Sequence, residues 1–132
     1  MSQPDARIVL HKKRPIYEPG ELLTFEYRVW STLAHPPTAV EASILWCTEG
    51  KGDEDMRVHF FDRVEGDSAA IDFSRPHHFS VALPNTPLSY DGVIVKIRWW
   101  VRVRVFFGRE RDFVAEEPFR LGHVPPARAI ST

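Results

Sequence analysis

Across residues 93–107, apolar and charged side chains alternate almost without a break. Val93, Val95, Ile97, Trp99, Val101, Val103 and Val105 share one parity, and Lys96, Arg98, Trp100, Arg102 and Arg104 share the other. Successive side chains of a strand point to opposite faces. The run therefore predicts a long β-strand with one face in a core and the other in water. Its lysine and arginines rule it out as a membrane span. Helix signals are nearly absent elsewhere, and 11 prolines spread along the chain break most windows in which a helix could form.

The same period-two pattern recurs between turn residues. Residues 7–11 read as a short first strand. In 21–30, Leu23, Phe25, Tyr27 and Val29 share one face while Glu26 and Arg28 take the other. In 38–48, Val40, Ala42, Ile44 and Trp46 fall together, and in 56–63 so do Met56, Val58 and Phe60. Residues 69–73 read as a short strand or an edge. Residues 77–83 place Phe79, Val81 and Leu83 inward. Residues 111–121 form the closing strand, with Pro118 marking an edge or a bulge. Between them, 31–37, 64–68 and 84–92 are loops or turns, and the polar, glycine-containing stretch 49–55 is a mobile hairpin loop. Seven to eight strands with a turn about every ten residues predict an all-β, immunoglobulin-like antiparallel β-sandwich. Trp30, Trp46, Trp99, Phe25, Phe60, Phe79 and Phe113 supply its core. The domain spans 1–122, and 123–132 form a flexible tail.

A chain of 132 residues suffices for one such core. With 43% hydrophobic and 27% charged residues the composition excludes disorder. A net charge of -1 gives no global field toward nucleic acid or an anionic membrane. Cys47 is the single cysteine, so no intramolecular disulfide forms. The first residues carry no apolar signal segment, and the expected compartment is the cytoplasm.

Two segments resemble signatures of the arrestin-like superfamily. The first is Ile16-Tyr17-Glu18-Pro19-Gly20-Glu21-Leu22-Leu23, an aromatic followed by Pro-Gly-Glu at the turn before a long early strand. The second is His78-Phe79-Ser80-Val81-Ala82-Leu83-Pro84, continuing through Asn85-Thr86-Pro87-Leu88-Ser89-Tyr90-Asp91-Gly92 into the alternating run. Their order and spacing match one arrestin-like sandwich. The residues also have scaffold roles of their own: Pro19-Gly20 suits a tight turn, Pro84 and Pro87 stiffen a crossing between sheets, and Gly92 permits a sharp bend. Arrestins and the related retromer subunit carry two such sandwiches in tandem, whereas this chain has room for one. It also lacks a Pro-Pro-x-Tyr motif. The resemblance implies the fold, and receptor or trafficking roles do not follow from it.

The face Lys96, Arg98, Trp100, Arg102, Arg104 is the candidate partner-binding site, because an exposed tryptophan between cations has the composition of a binding hot spot. The competing reading is a solvated strand face, with Glu26 or Glu41 pairing the cations and arginine stems covering Trp100. His77 and His78 are adjacent and point to opposite faces, and His59 lies on another strand, so the histidines predict no metal site. Cys47 lacks any activating neighbour and reads as packing. No nucleophile elbow, phosphate loop or metalloprotease helix occurs. The expectation is a non-catalytic protein-interaction or scaffold module without a cofactor. Its partner is a protein rather than nucleic acid, and an edge strand near 111–121 offers a route to a homo-oligomer. The alternative is a β-sandwich that binds carbohydrate or an anionic polymer.

Overall fold

The structure, a computed structural model, describes residues 5–30, 37–65, 72–108 and 112–127. Among these described residues nine strands follow in order: β1 (Asp5–Leu10), β2 (Ile16–Tyr17), β3 (Leu22–Trp30), β4 (Ala39–Gly50), β5 (Asp53–Glu65), β6 (His77–Ala82), β7 (Tyr90–Asp91), β8 (Val95–Phe106) and β9 (Phe113–Leu121). One sheet has the order β1-β3-β6 and the other β2-β9-β8-β4-β5, with β7 pairing β8 beyond the end of β9. All pairings are antiparallel except the short β2–β9 contact. The expected sandwich is therefore present, and two of its nine strands have only two residues.

The inner faces follow the alternation. Leu23, Phe25, Tyr27 and Val29 from β3 meet Val40, Ala42 and Ile44 from β4 and Trp99, Val101, Val103 and Val105 from β8, all buried. Burying such side chains contributes on the order of 2 kcal/mol each. Four local expectations differ. Trp30 lies on the outer face of β3 and is 39% exposed, because it shares parity with Glu26 and Arg28. Val93 and Ile94 precede β8 and are exposed, since the register with β4 begins at Val95 opposite Gly50. The 49–55 segment is a tight hairpin rather than a mobile loop: Lys51 and Gly52, with φ of 48° and 85°, make a two-residue turn of the kind that fits strand twist.

The fourth difference is a bulge. The β4–β5 register slips between Ile44, opposite Phe60, and Leu45, opposite Val58. The extra residue, His59, breaks the parity of β5. Phe60 packs on the core while Met56 and Val58 face outward, so these three do not share a face. β5 also continues through Val64 and Glu65, where a turn was expected. Of the expected strand 69–73, residues 69–71 lie outside the described residues, and Phe73 caps β3 by accepting a hydrogen bond from the Val29 N–H at 2.8 Å.

The two signature segments meet. Gly20 takes a φ of 81°, and Glu21 N–H donates to the Glu18 carbonyl at 3.0 Å, closing the turn. The Glu21 carboxylate in turn accepts from the Glu18 N–H at 2.8 Å and from Lys12 Nζ at 2.9 Å. These bonds hold the Glu21 carboxyl below its usual range, the Glu18 N–H being the largest cause. Leu83 N–H then donates to the Glu21 carbonyl at 2.9 Å, joining the second segment to the first. Farther along, Ser89 is buried and exchanges two hydrogen bonds of 2.8 Å with Leu121. The Pro87 carbonyl accepts the Trp99 indole N–H at 2.8 Å. Gly92 is needed for space: a Cβ there would sit 2.4 Å from the Val95 carbonyl oxygen. The first part of the tail is tied down as well, with Ala127 N–H donating to the Asp91 carbonyl at 2.9 Å.

Candidate functional site

The outer face of the large sheet is built from the second parity of β8 and its neighbours on β4. Register places Lys96 opposite Glu49, Arg98 opposite Cys47, Trp100 opposite Leu45, Arg102 opposite Ser43, and Arg104 opposite Glu41. The five sequence-predicted residues do lie in one row. Trp100, however, is only 8% exposed, which corrects the expectation of an exposed indole. It packs with Leu45 and Cys47 in a small cluster of its own. Arg98 and Arg102 cover it from either side, their guanidinium carbons 5.8 and 5.6 Å from the ring centroid. The covering arginines are themselves held: Arg98 by Glu49 and Arg102 by Glu116 at 2.8 Å. Glu41 pairs with Arg63 of β5 at 2.7 Å rather than with Arg104. Among the described residues Lys96 and Arg104 have no carboxylate partner. The row is thus a lidded aromatic with a cation at each end.

One strand farther out, beyond β4, runs β5, a 13-residue strand at the edge of the sheet. Its outer face carries Met56, Val58 and Phe61, which are 41%, 59% and 53% exposed. Among the described residues its far edge has no strand partner. β9, expected as the edge strand, lies between β8 and the two residues of β2. At the hairpin end, Val93 and Ile94 face Glu49, Asp53 and Glu54 across a concavity of about 380 Å³, with Lys51 and Lys96 at its rim. Apolar surface therefore extends from the hairpin end along β5. The signal in the sequence was the run of Met56, Val58 and Phe61, but the bulge at His59 hid which of them share a face.

Among the described residues, two groups of side chains have the chemistry of metal ligands. Cys47, Glu49 and Glu54 form one, but Cys47 is buried and burial pushes its thiol up, while Arg98 occupies the Glu49 carboxylate. The other is His11, Glu26 and His78 on the outer face of the small sheet. Spacing in the sequence bears on His77, His78 and His59 alone. Strand order β1-β3-β6, which brings His11 to His78, cannot be read from spacing. His77 turns inward and stacks on Tyr27 with ring centroids 5.1 Å apart.

No protein-family model matches the chain, and no curated protein matches it in sequence. Among solved structures, the sporulation control protein Spo0M from Bacillus subtilis is similar with a TM-score of 0.63 at 17% sequence identity. The similarity covers 94% of this chain and 51% of that one, so the chain spans about half the length of Spo0M. Among the described residues no helix is long and apolar enough to cross a membrane. At that identity the likeness speaks to architecture, and with the two sheets described above it shows an arrestin-like β-sandwich fold.

Proposed function

We propose that this chain is a non-catalytic protein-interaction module that takes an extended partner segment as an added strand on β5. The observation that carries this reading is the pairing of a long free edge with an exposed apolar flank. A 13-residue edge strand offers a row of backbone donors and acceptors, and Met56, Val58 and Phe61 beside it supply contact area. Of the devices that blunt an edge strand, β5 lacks lysine and proline, and it carries a bulge at His59 and charged residues gathered mostly toward its two ends. Lys96 and Arg104 of β8, two strands in from β5 and without a carboxylate partner among the described residues, favour a partner segment with acidic residues near its apolar ones. The lone buried Cys47 suits the reducing cytoplasm as the working compartment. Carbohydrate binding needs aligned exposed aromatics, and the two at hand, Trp30 and Phe61, sit on different sheets.

A photo-crosslinking residue placed at Val58 tests the proposal directly. A partner captured from native lysate, lost in the Phe61→Asp variant and kept in the Trp100→Phe variant, supports strand addition at β5. Capture of a second copy of the chain instead, with dimers seen by sedimentation, makes β5 a self-association edge. Capture that is indifferent to Phe61→Asp overturns the β5 assignment.

A further inference from the structure

We propose that His11, Glu26 and His78 form a binding site for a divalent first-row transition-metal ion of the zinc class. The three residues are distant in sequence and come together through the order of the small sheet. Glu26 of β3 stands directly opposite His78 of β6. His11 extends the β1 register by one residue, its N–H donating to the Thr24 carbonyl at 3.0 Å. That places His11 diagonal to Glu26. All three fall on the parity that faces away from the core, so three neighbouring strands each present one ligand to the same patch.

The distances suit coordination better than hydrogen bonding. One ligand atom from each residue lies within 4.8 Å of the other two. His11 Nε2 and Glu26 Oε1 are 3.5 Å apart. Two donors on a tetrahedral zinc at about 2.0–2.1 Å stand roughly 3.4 Å from each other, whereas an N–H···O hydrogen bond centres near about 2.9 Å. The His11 and His78 rings are 5.9 Å apart and 77° from parallel, so they converge edge to face instead of stacking. Small side-chain rotations, free at a partly exposed surface, bring the third donor into range.

The donor set is two imidazoles and one carboxylate, which selects zinc, nickel or copper and discriminates against calcium and magnesium. Nearby cations do not fill the site. Lys12 is held by Glu21 at 2.9 Å, and Arg7 and Arg28 face each other on the side of Glu26 away from His11. Three protein ligands leave coordination positions open toward solvent. A bound ion would also pin β1 and β6, the two edges of the small sheet, to the central strand β3. Binding to the folded chain alone then raises its stability by mass action.

The test uses the full chain, stripped of metal, titrated with Zn²⁺ against a chromophoric chelator. The expected result is one Zn²⁺ per chain, a higher Tm with Zn²⁺, and no competition from Ca²⁺. His11→Ala and His78→Ala should each weaken binding by about tenfold or more, with His123→Ala unchanged as the control. NMR of wild-type imidazole resonances provides a readout that needs no variant: Zn²⁺ should shift His11 and His78 and leave His77 in place. A stoichiometry other than one, binding that survives the His11→Ala/His78→Ala double variant, or equal loss in His123→Ala overturns the site.

Discussion

Trp100 shows how one residue can be assigned to the right row with the wrong exposure. Its parity with Lys96 and Arg104 was legible, but its burial depended on where the Arg98 and Arg102 side chains lie, and carboxylates on β4 and β9 decide that. Truncating it should be costly: Trp100→Ala empties the small cluster with Leu45 and Cys47, and we expect a loss of about 3 kcal/mol in urea unfolding. Trp100→Phe should stay within about 1 kcal/mol of wild type. The smaller ring keeps the arginine stacking and removes an indole N–H that is buried with no hydrogen-bond partner among the described residues. Equal losses in the two variants would show that the indole N–H is satisfied after all. Glu21 gives a prediction in pH. Its carboxyl is held below its ordinary value of 4.5 by the Glu18 N–H and Lys12. The stabilisation is fully present above that value and is lost as pH falls through the lowered folded one. The stability gap between wild type and Glu21→Gln should therefore be constant near neutrality and close only in acid. A gap that instead widens on acidification would contradict the sign of the shift.

At the scale of the element, β8 was the easiest strand to read and β5 the hardest, for one physical reason. β8 is the strand between β4 and β9, so its inner parity is fixed by burial at every step from Ile97 to Val105. β5 has one neighbour and a bulge, and one extra residue reverses parity on either side of it. Alternation reveals a strand and its faces but not its neighbours. That is why the sandwich was legible, while the His11–Glu26–His78 grouping and the free edge at β5 were not. The exposure of β5 has a measurable consequence. Phe61→Lys removes an apolar group already 53% exposed, so stability should change by no more than about 0.5 kcal/mol. Solubility should rise and partner capture should fall. A large stability loss would mean that Phe61 is packed, and the binding surface would have to lie elsewhere.

Over the whole molecule the two sheets are joined unequally. On one side, β1 lies against β9, and the segment that follows β1 is bonded to β9, with the Arg120 and Gly122 N–H groups donating to the Pro15 and Tyr17 carbonyls at 2.8 Å. On the other, among the described residues, β5 meets β6 through few groups: His59 Nε2 lies 2.8 Å from the Ala82 carbonyl, and the Phe60 and Phe79 rings meet edge to face at 5.7 Å. The bulge is what turns both His59 and Phe60 inward to make this closure. A sandwich closed firmly on one side and lightly on the other should open locally at the light side before it unfolds globally. Native-state hydrogen exchange should then rank the amides of β4 and β8 as exchanging only through global unfolding, with those joining β5 to β4 opening at lower free energy. His59→Ala removes the imidazole tie to β6, an exposed hydrogen bond that contributes about 0.5 kcal/mol. In that variant the protection of β5 should fall by more than that of β8, because the lost contact belongs to the local opening first. If β5 and β8 lose protection equally, the sandwich opens as one unit, and a partner strand would gain no advantage from a loosely held edge.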